Sequence, residues 1–95
     1  MESTLGADLG AVGAAAVDRM EVLRASDFYS LPAGGSLTSN LTGYSDITSS
    51  RYTVRWQIVD NASPPTEKTI SVRVIATRQA IGLAKEVTLT SLRAR

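Results

Sequence analysis

Apolar residues at Leu5, Leu9, Val12, Ala16, Met20 and Leu23 recur at spacings of three and four. That is the stripe of an amphipathic helix. Asp8, Asp18, Arg19 and Glu21 fall off the stripe or at its edge, as a solvated face requires. Pro32 and Gly34-Gly35 cannot continue a helix, so the pattern predicts one helix from about Ser3 to Ser26. A second pattern starts at Tyr52. There Tyr52, Val54, Trp56 and Ile58 alternate with Thr53, Arg55 and Gln57. Further on, Ile70, Val72, Val74 and Ala76 alternate with Ser71, Arg73 and Ile75, and Val87 and Leu89 with Thr88 and Thr90. A period of two marks strands buried on one face. Pro64-Pro65 and Gly82 sit between the three runs as turn signals.

Setting Ile58 opposite Ile70 pairs Trp56 with Val72, Val54 with Val74 and Tyr52 with Ala76. The next hairpin is expected to place Val87 beside Ala76 and Leu89 beside Val74. One register then keeps every large residue on a single face, which is what fixes strand pairing. The predicted fold is α+β: an N-terminal helix packed on a three-stranded antiparallel β-meander. One domain, 1–95, divides into a helix (1–26), an αβ-loop (27–50) and the sheet (51–95). The helix-on-sheet core is expected to comprise Leu5, Leu9, Val12, Ala16, Met20 and Leu23 against Tyr52, Val54, Trp56, Ile58, Ile70, Val72, Val74, Val87 and Leu89. Between helix and sheet, Leu31, Leu37, Leu41, Tyr44 and Ile47 are scattered through Ser, Thr, Gly and Asn. A loop that packs down on the fold, with room for a short strand or turn, is expected there.

The helix carries Gly6, Gly10 and Gly13. Each costs on the order of 1 kcal/mol relative to Ala in a helix interior, so packing against another element must compensate. Gly6-xxx-Gly10 also lets a neighbouring helix approach closely. The periodicity begins almost at Met1, with only Ser3 or Thr4 to cap it. The expectation is that the chain starts partway along a longer helix.

Composition narrows the chemistry. The 95 residues hold ten basic and nine acidic side chains, a net charge of +1. No electrostatic footprint for nucleic acid or an anionic membrane follows from that balance. Cys and His are both absent, which excludes zinc sites, disulfides, thiol nucleophiles and histidine acid–base chemistry. The longest apolar stretch, Leu9 to Val17, falls short of the roughly 20 residues that cross a bilayer. The carboxylates are dispersed, and Lys68 and Lys85 stand alone in turn regions, so no paired geometry marks a Ser–Lys dyad. Asn40-Leu41-Thr42 matches the N-glycosylation acceptor pattern, a short motif that arises often by chance. Arg51, Arg55, Arg73 and Arg78 could form a basic strip on the polar sheet face, but with Trp56 and Tyr52 turned inward no aromatic stacks beside it. A solvated arginine ladder partnered by Glu67 and Glu86 is the plainer expectation. No catalytic residue, cofactor or metal ligand is predicted.

The order of elements carries a resemblance. Ala14–Arg24 (AAAVDRMEVLR) leads into Asp27–Leu31 (DFYSL) and a Gly/Ser/Thr loop. Then come Tyr52–Val59 (YTVRWQIV), Lys68–Val74 (KTISVRV) and Lys85–Thr90 (KEVTLT). This resembles the soluble domain of type IV pilin-like proteins, most of all minor pilins of the PilV type and the minor pseudopilins of type II secretion. The resemblance implies a non-enzymatic structural subunit of a type IV pilus or secretion pseudopilus, with an assembly-priming or tip role. It implies other pilins or pseudopilins as partners, with Gly6, Gly10 and Gly13 at the subunit interface. It also implies an inner-membrane anchor through a hydrophobic helical half preceding this sequence, the domain itself being periplasmic and later part of a filament. The lack of a C-terminal cysteine pair favours a minor member. The alternative is a stand-alone binding module, adhesin-like or a nucleic-acid-binding sheet.

Overall fold

The computed structural model describes residues 4–61, 66–77 and 86–95, with side chains from residue 10 onward. Helix α1 runs Thr4–Ala25 and a 3₁₀ turn follows at Phe28–Ser30. Among the described residues five strands follow: β1 Gly34–Gly35, β2 Ser45–Asp46, β3 Tyr52–Asp60, β4 Glu67–Ala76 and β5 Glu86–Ala94. They form one antiparallel sheet in the order β1-β3-β4-β5, with β2 also on the outer edge of β3. The architecture is α+β, one helix across an antiparallel sheet. The sheet is not limited to three strands, because the αβ-loop adds two short ones.

Those additions have a backbone cause. Gly34 and Gly35 pair with Ile58 and Gln57, and Ser45 and Asp46 with Arg55 and Val54. Gly35 has φ +95, and a Cβ placed there would lie 2.2 Å from the Trp56 carbonyl oxygen. Only glycine lets the loop approach β3 this closely. Trp56 N–H donates to the Tyr44 carbonyl at 3.0 Å between the two short strands, which helps to cover this edge of the sheet.

The β3–β4 ladder has the register that the alternation gives: Tyr52↔Ala76, Val54↔Val74, Trp56↔Val72 and Ile58↔Ile70. The β4–β5 ladder does not. Val87 lies opposite Val74 and Leu89 opposite Val72, two residues from the expected positions. A shift of two preserves the inward face, so hydrophobic patterning cannot distinguish the two registers. The Pro64-Pro65 and Gly82 turn signals lie outside the described residues.

Helix α1 crosses β4 and β5 and reaches β3. Val12, Ala16, Met20 and Leu23 are buried against Val54, Trp56, Ile58, Ile70, Val72 and Val74. Tyr52, Val87 and Leu89 are partly buried against the same core. The side chains of Leu5 and Leu9 lie outside the described set. Leu31 joins the core from the end of the 3₁₀ turn, and Phe28 is buried beside it in sequence. Arg93 Nε donates to the Arg24 carbonyl at 3.1 Å, placing a cation at the negative end of the helix dipole.

Candidate functional site

With one side of α1 on the sheet, the other faces outward. Gly10 and Ala14 are exposed, Gly13 is half-buried, and Val17 is 48% exposed. A Cβ built at Gly10 or Gly13 meets nothing within 4 Å, and neither glycine has a positive φ. Neither close packing among the described residues nor backbone conformation therefore calls for glycine at these two positions, unlike Gly35. Gly6 lies one turn earlier in α1; its surroundings are outside the described set.

A second outward surface is the loop between β1 and β2, which folds over the polar face of the sheet. Arg73 Nη1 donates to the Leu37 carbonyl at 2.9 Å, and Arg55 Nη1 reaches the same oxygen at 3.5 Å. Arg55 Nε donates to Asn40 Oδ1 at 2.8 Å. Arg73 also forms a two-pronged pair with Glu86, at 3.2 and 3.1 Å. The expected ladder partner Glu86 is thus present, whereas Glu67 accepts from Asn61 instead. The two central arginines hold the loop rather than an open phosphate track. Arg51 is exposed and Arg78 lies outside the described residues. Thr38 to Gly43 are exposed as a result.

Two cationic side chains fix these surfaces to the core. Arg19 of α1 pairs with Asp46 Oδ2 at 3.0 Å, its guanidinium 4.5 Å from the Trp56 ring centroid. Hydrogen bonds from the Thr48 hydroxyl and amide hold the Asp46 carboxyl below its usual range, and the Arg19 charge adds to them. A groove of about 180 Å³ opens here between Ala15, Val22 and Tyr52. Lys68 is only 5% exposed. Its ammonium donates to the Leu31 carbonyl, stands 4.7 Å from the Phe28 ring centroid, and lies 3.6 Å from Asp60 Oδ1. This is not a lysine alone in a turn. It occupies the inward parity of β4 with Ile70, Val72 and Val74, and that parity was the signal for it in the sequence.

Chemically, the arrangement offers anchoring and contact. The Lys68 ammonium is committed to structural partners, and among the described residues no group of three or more acidic side chains comes together as a metal site would need. Within the described residues no helix is long and apolar enough to cross a membrane. No family model, curated protein or solved structure matches the chain.

Proposed function

We propose that the protein is a structural subunit of a type IV pilus or type II secretion pseudopilus, of the minor pilin class. The observation that carries the reading is the outer face of α1. Gly10 and Gly13 weaken the helix, and nothing described within the monomer uses their missing side chains. A neighbouring helix packed on that face would use them, because small residues let backbones approach closely. The remaining elements fit such a role. One face of α1 is committed to the sheet, and the β1–β2 loop is braced by Arg55 and Arg73 as a presented surface.

In this reading a hydrophobic continuation of α1 anchors the protein in the inner membrane before assembly. The domain is periplasmic and then joins a helical filament of related subunits. The role is mechanical and employs no catalytic group or cofactor. Reading the gene upstream of Glu2 tests it: a basic leader followed by about 20 apolar residues supports the proposal, and a start without them opposes it.

A further inference from the structure

Position 40 holds a side chain that the monomer only half uses. Asn40 Oδ1 accepts from Arg55 Nε at 2.8 Å. Arginine carries donors only, so this bond orients the amide: Oδ1 faces Arg55 and Nδ2 is left over. Among the described residues Nδ2 donates to nothing, and Asn40, Leu41 and Thr42 are all exposed. The bond to Arg55 does not explain an amide here. Arg55 stands directly opposite Arg73 across the β3–β4 ladder, and like charges so placed are unfavourable. Arg73 has a carboxylate partner, Glu86, and among the described residues Arg55 has none. A carboxylate at position 40 would hold Arg55 by a charge-assisted bond, roughly twice as strong as a neutral one. The chain has Asn instead, and what distinguishes it is the unused NH2 group.

That group belongs to Asn40-Leu41-Thr42, the acceptor pattern for N-glycosylation. The pattern occurs a second time at Asn61-Ala62-Ser63, and the surroundings of the two asparagines differ. Asn61 Nδ2 donates to Glu67 Oε1 at 3.0 Å, and its Oδ1 accepts from the Thr69 hydroxyl at 3.2 Å. Both ends of that amide are engaged on the start of β4. Asn40 offers an unengaged Nδ2 and, two residues on, an exposed Thr42 whose hydroxyl has no partner among the described residues. The turn that presents them rests on the Leu41 carbonyl, which accepts from the Tyr44 N–H and from the Ser45 hydroxyl, each at 2.9 Å.

We propose that Asn40 is a glycosylation site, its Nδ2 carrying an N-linked oligosaccharide, and that Asn61 stays bare. The donor is a lipid-pyrophosphate-linked oligosaccharide, acted on by a membrane-bound oligosaccharyltransferase. Nδ2 bonds to the anomeric carbon of the sugar and the bond from that carbon to the pyrophosphate oxygen breaks. The lipid pyrophosphate leaves with the electron pair, and the displaced Nδ2 proton is released to solvent. Oδ1 survives as an acceptor, so the bond to Arg55 and the brace on the loop are compatible with the modified residue. The sugar then stands over the polar face of the sheet, where it is bulky and solubilising. This does not rest on the filament reading, because it requires only that the chain be exported, whether or not it enters a filament.

Mass mapping of the protein isolated from its own cells tests the assignment. The tryptic peptide 25–51 should carry added sugar mass that fragmentation places on Asn40. Peptide 56–68, which contains Asn61, should have its unmodified mass. Thr42→Ala should abolish the added mass and leave the chain folded, since the Thr42 hydroxyl braces nothing described, while Thr42→Ser should retain it. Asn40→Gln should abolish it as well. An unmodified peptide 25–51 overturns the proposal, as does sugar found on Asn61 or only on a serine or threonine of peptide 25–51. Sugar that persists on Asn40 in the Thr42→Ala variant overturns it too.

Discussion

The Arg19 guanidinium joins the Trp56 ring, at 4.5 Å from its centroid, to the Asp46 carboxylate at 3.0 Å. One side chain thus ties α1 to a strand of the core and to a short strand of the loop. The ion pair is partly solvated, so its electrostatic worth is small, about 0.2–1 kcal/mol for exposed pairs. The ring contact adds about 0.5–1 kcal/mol at an exposed site. Arg19→Ala is expected to destabilise the fold by about 1 kcal/mol in urea titrations and to red-shift Trp56 fluorescence. Arg19→Lys keeps the charge but not the planar stack, and should recover only part of the loss.

Acid sensitivity follows from Asp46. Its carboxyl is held below the usual range by Thr48 first and by Arg19 after it. A depressed folded-state pKa contributes stability that is present above the unfolded value and lost as pH falls through the folded one. Asp46→Asn should therefore reduce stability at neutral pH and flatten its decline below about pH 4. Equilibrium unfolding measured across that range, with both proteins, checks the difference in slope.

Lys68 is buried with its stem along the core face and its ammonium on the Leu31 carbonyl. Lys68→Ala removes the stem and leaves a polar group without its partner, for an expected loss of about 2–4 kcal/mol. Lys68→Met retains most of the volume and is expected to cost less than Lys68→Ala. Denaturant midpoints of the two variants, compared with the unaltered chain, check the order.

The glycines should divide into two classes. Gly35→Ala meets the Trp56 carbonyl at 2.2 Å in a left-handed conformation, so it should destabilise by more than about 1 kcal/mol and free the β1 pairing. Gly10→Ala meets nothing and gains helix propensity, so the isolated chain should become more stable by about 1 kcal/mol. Thermal melts of both variants read the opposite signs directly.

Much of the sheet was legible in the sequence because alternation and burial share one period. Setting Ile58 opposite Ile70 gave the observed β3–β4 register, one of those that keep the large residues on a single face. Val87 came out two residues away because both registers bury the same face. The pairing of Gly34-Gly35 and Ser45-Asp46 rests on backbone hydrogen bonds and a missing Cβ, which leave no apolar pattern. For Lys68, the inward parity was readable, but its compensating partners, Leu31 and Phe28, lie some forty positions upstream and meet it only in three dimensions. Gly10 and Gly13 were visible as weak points of a helix, and only the structure shows that neither is needed for packing among the described residues.

The most direct test of the proposed filament role is assembly by the protein carrying Gly10→Leu. The isolated chain should stay folded, since the added side chain points into open space. In cells, the proposed filament role predicts that the variant is made yet excluded from filaments isolated by shearing or fractionation. Filaments incorporating it as well as the unaltered protein would contradict a packing role for the outer face of α1.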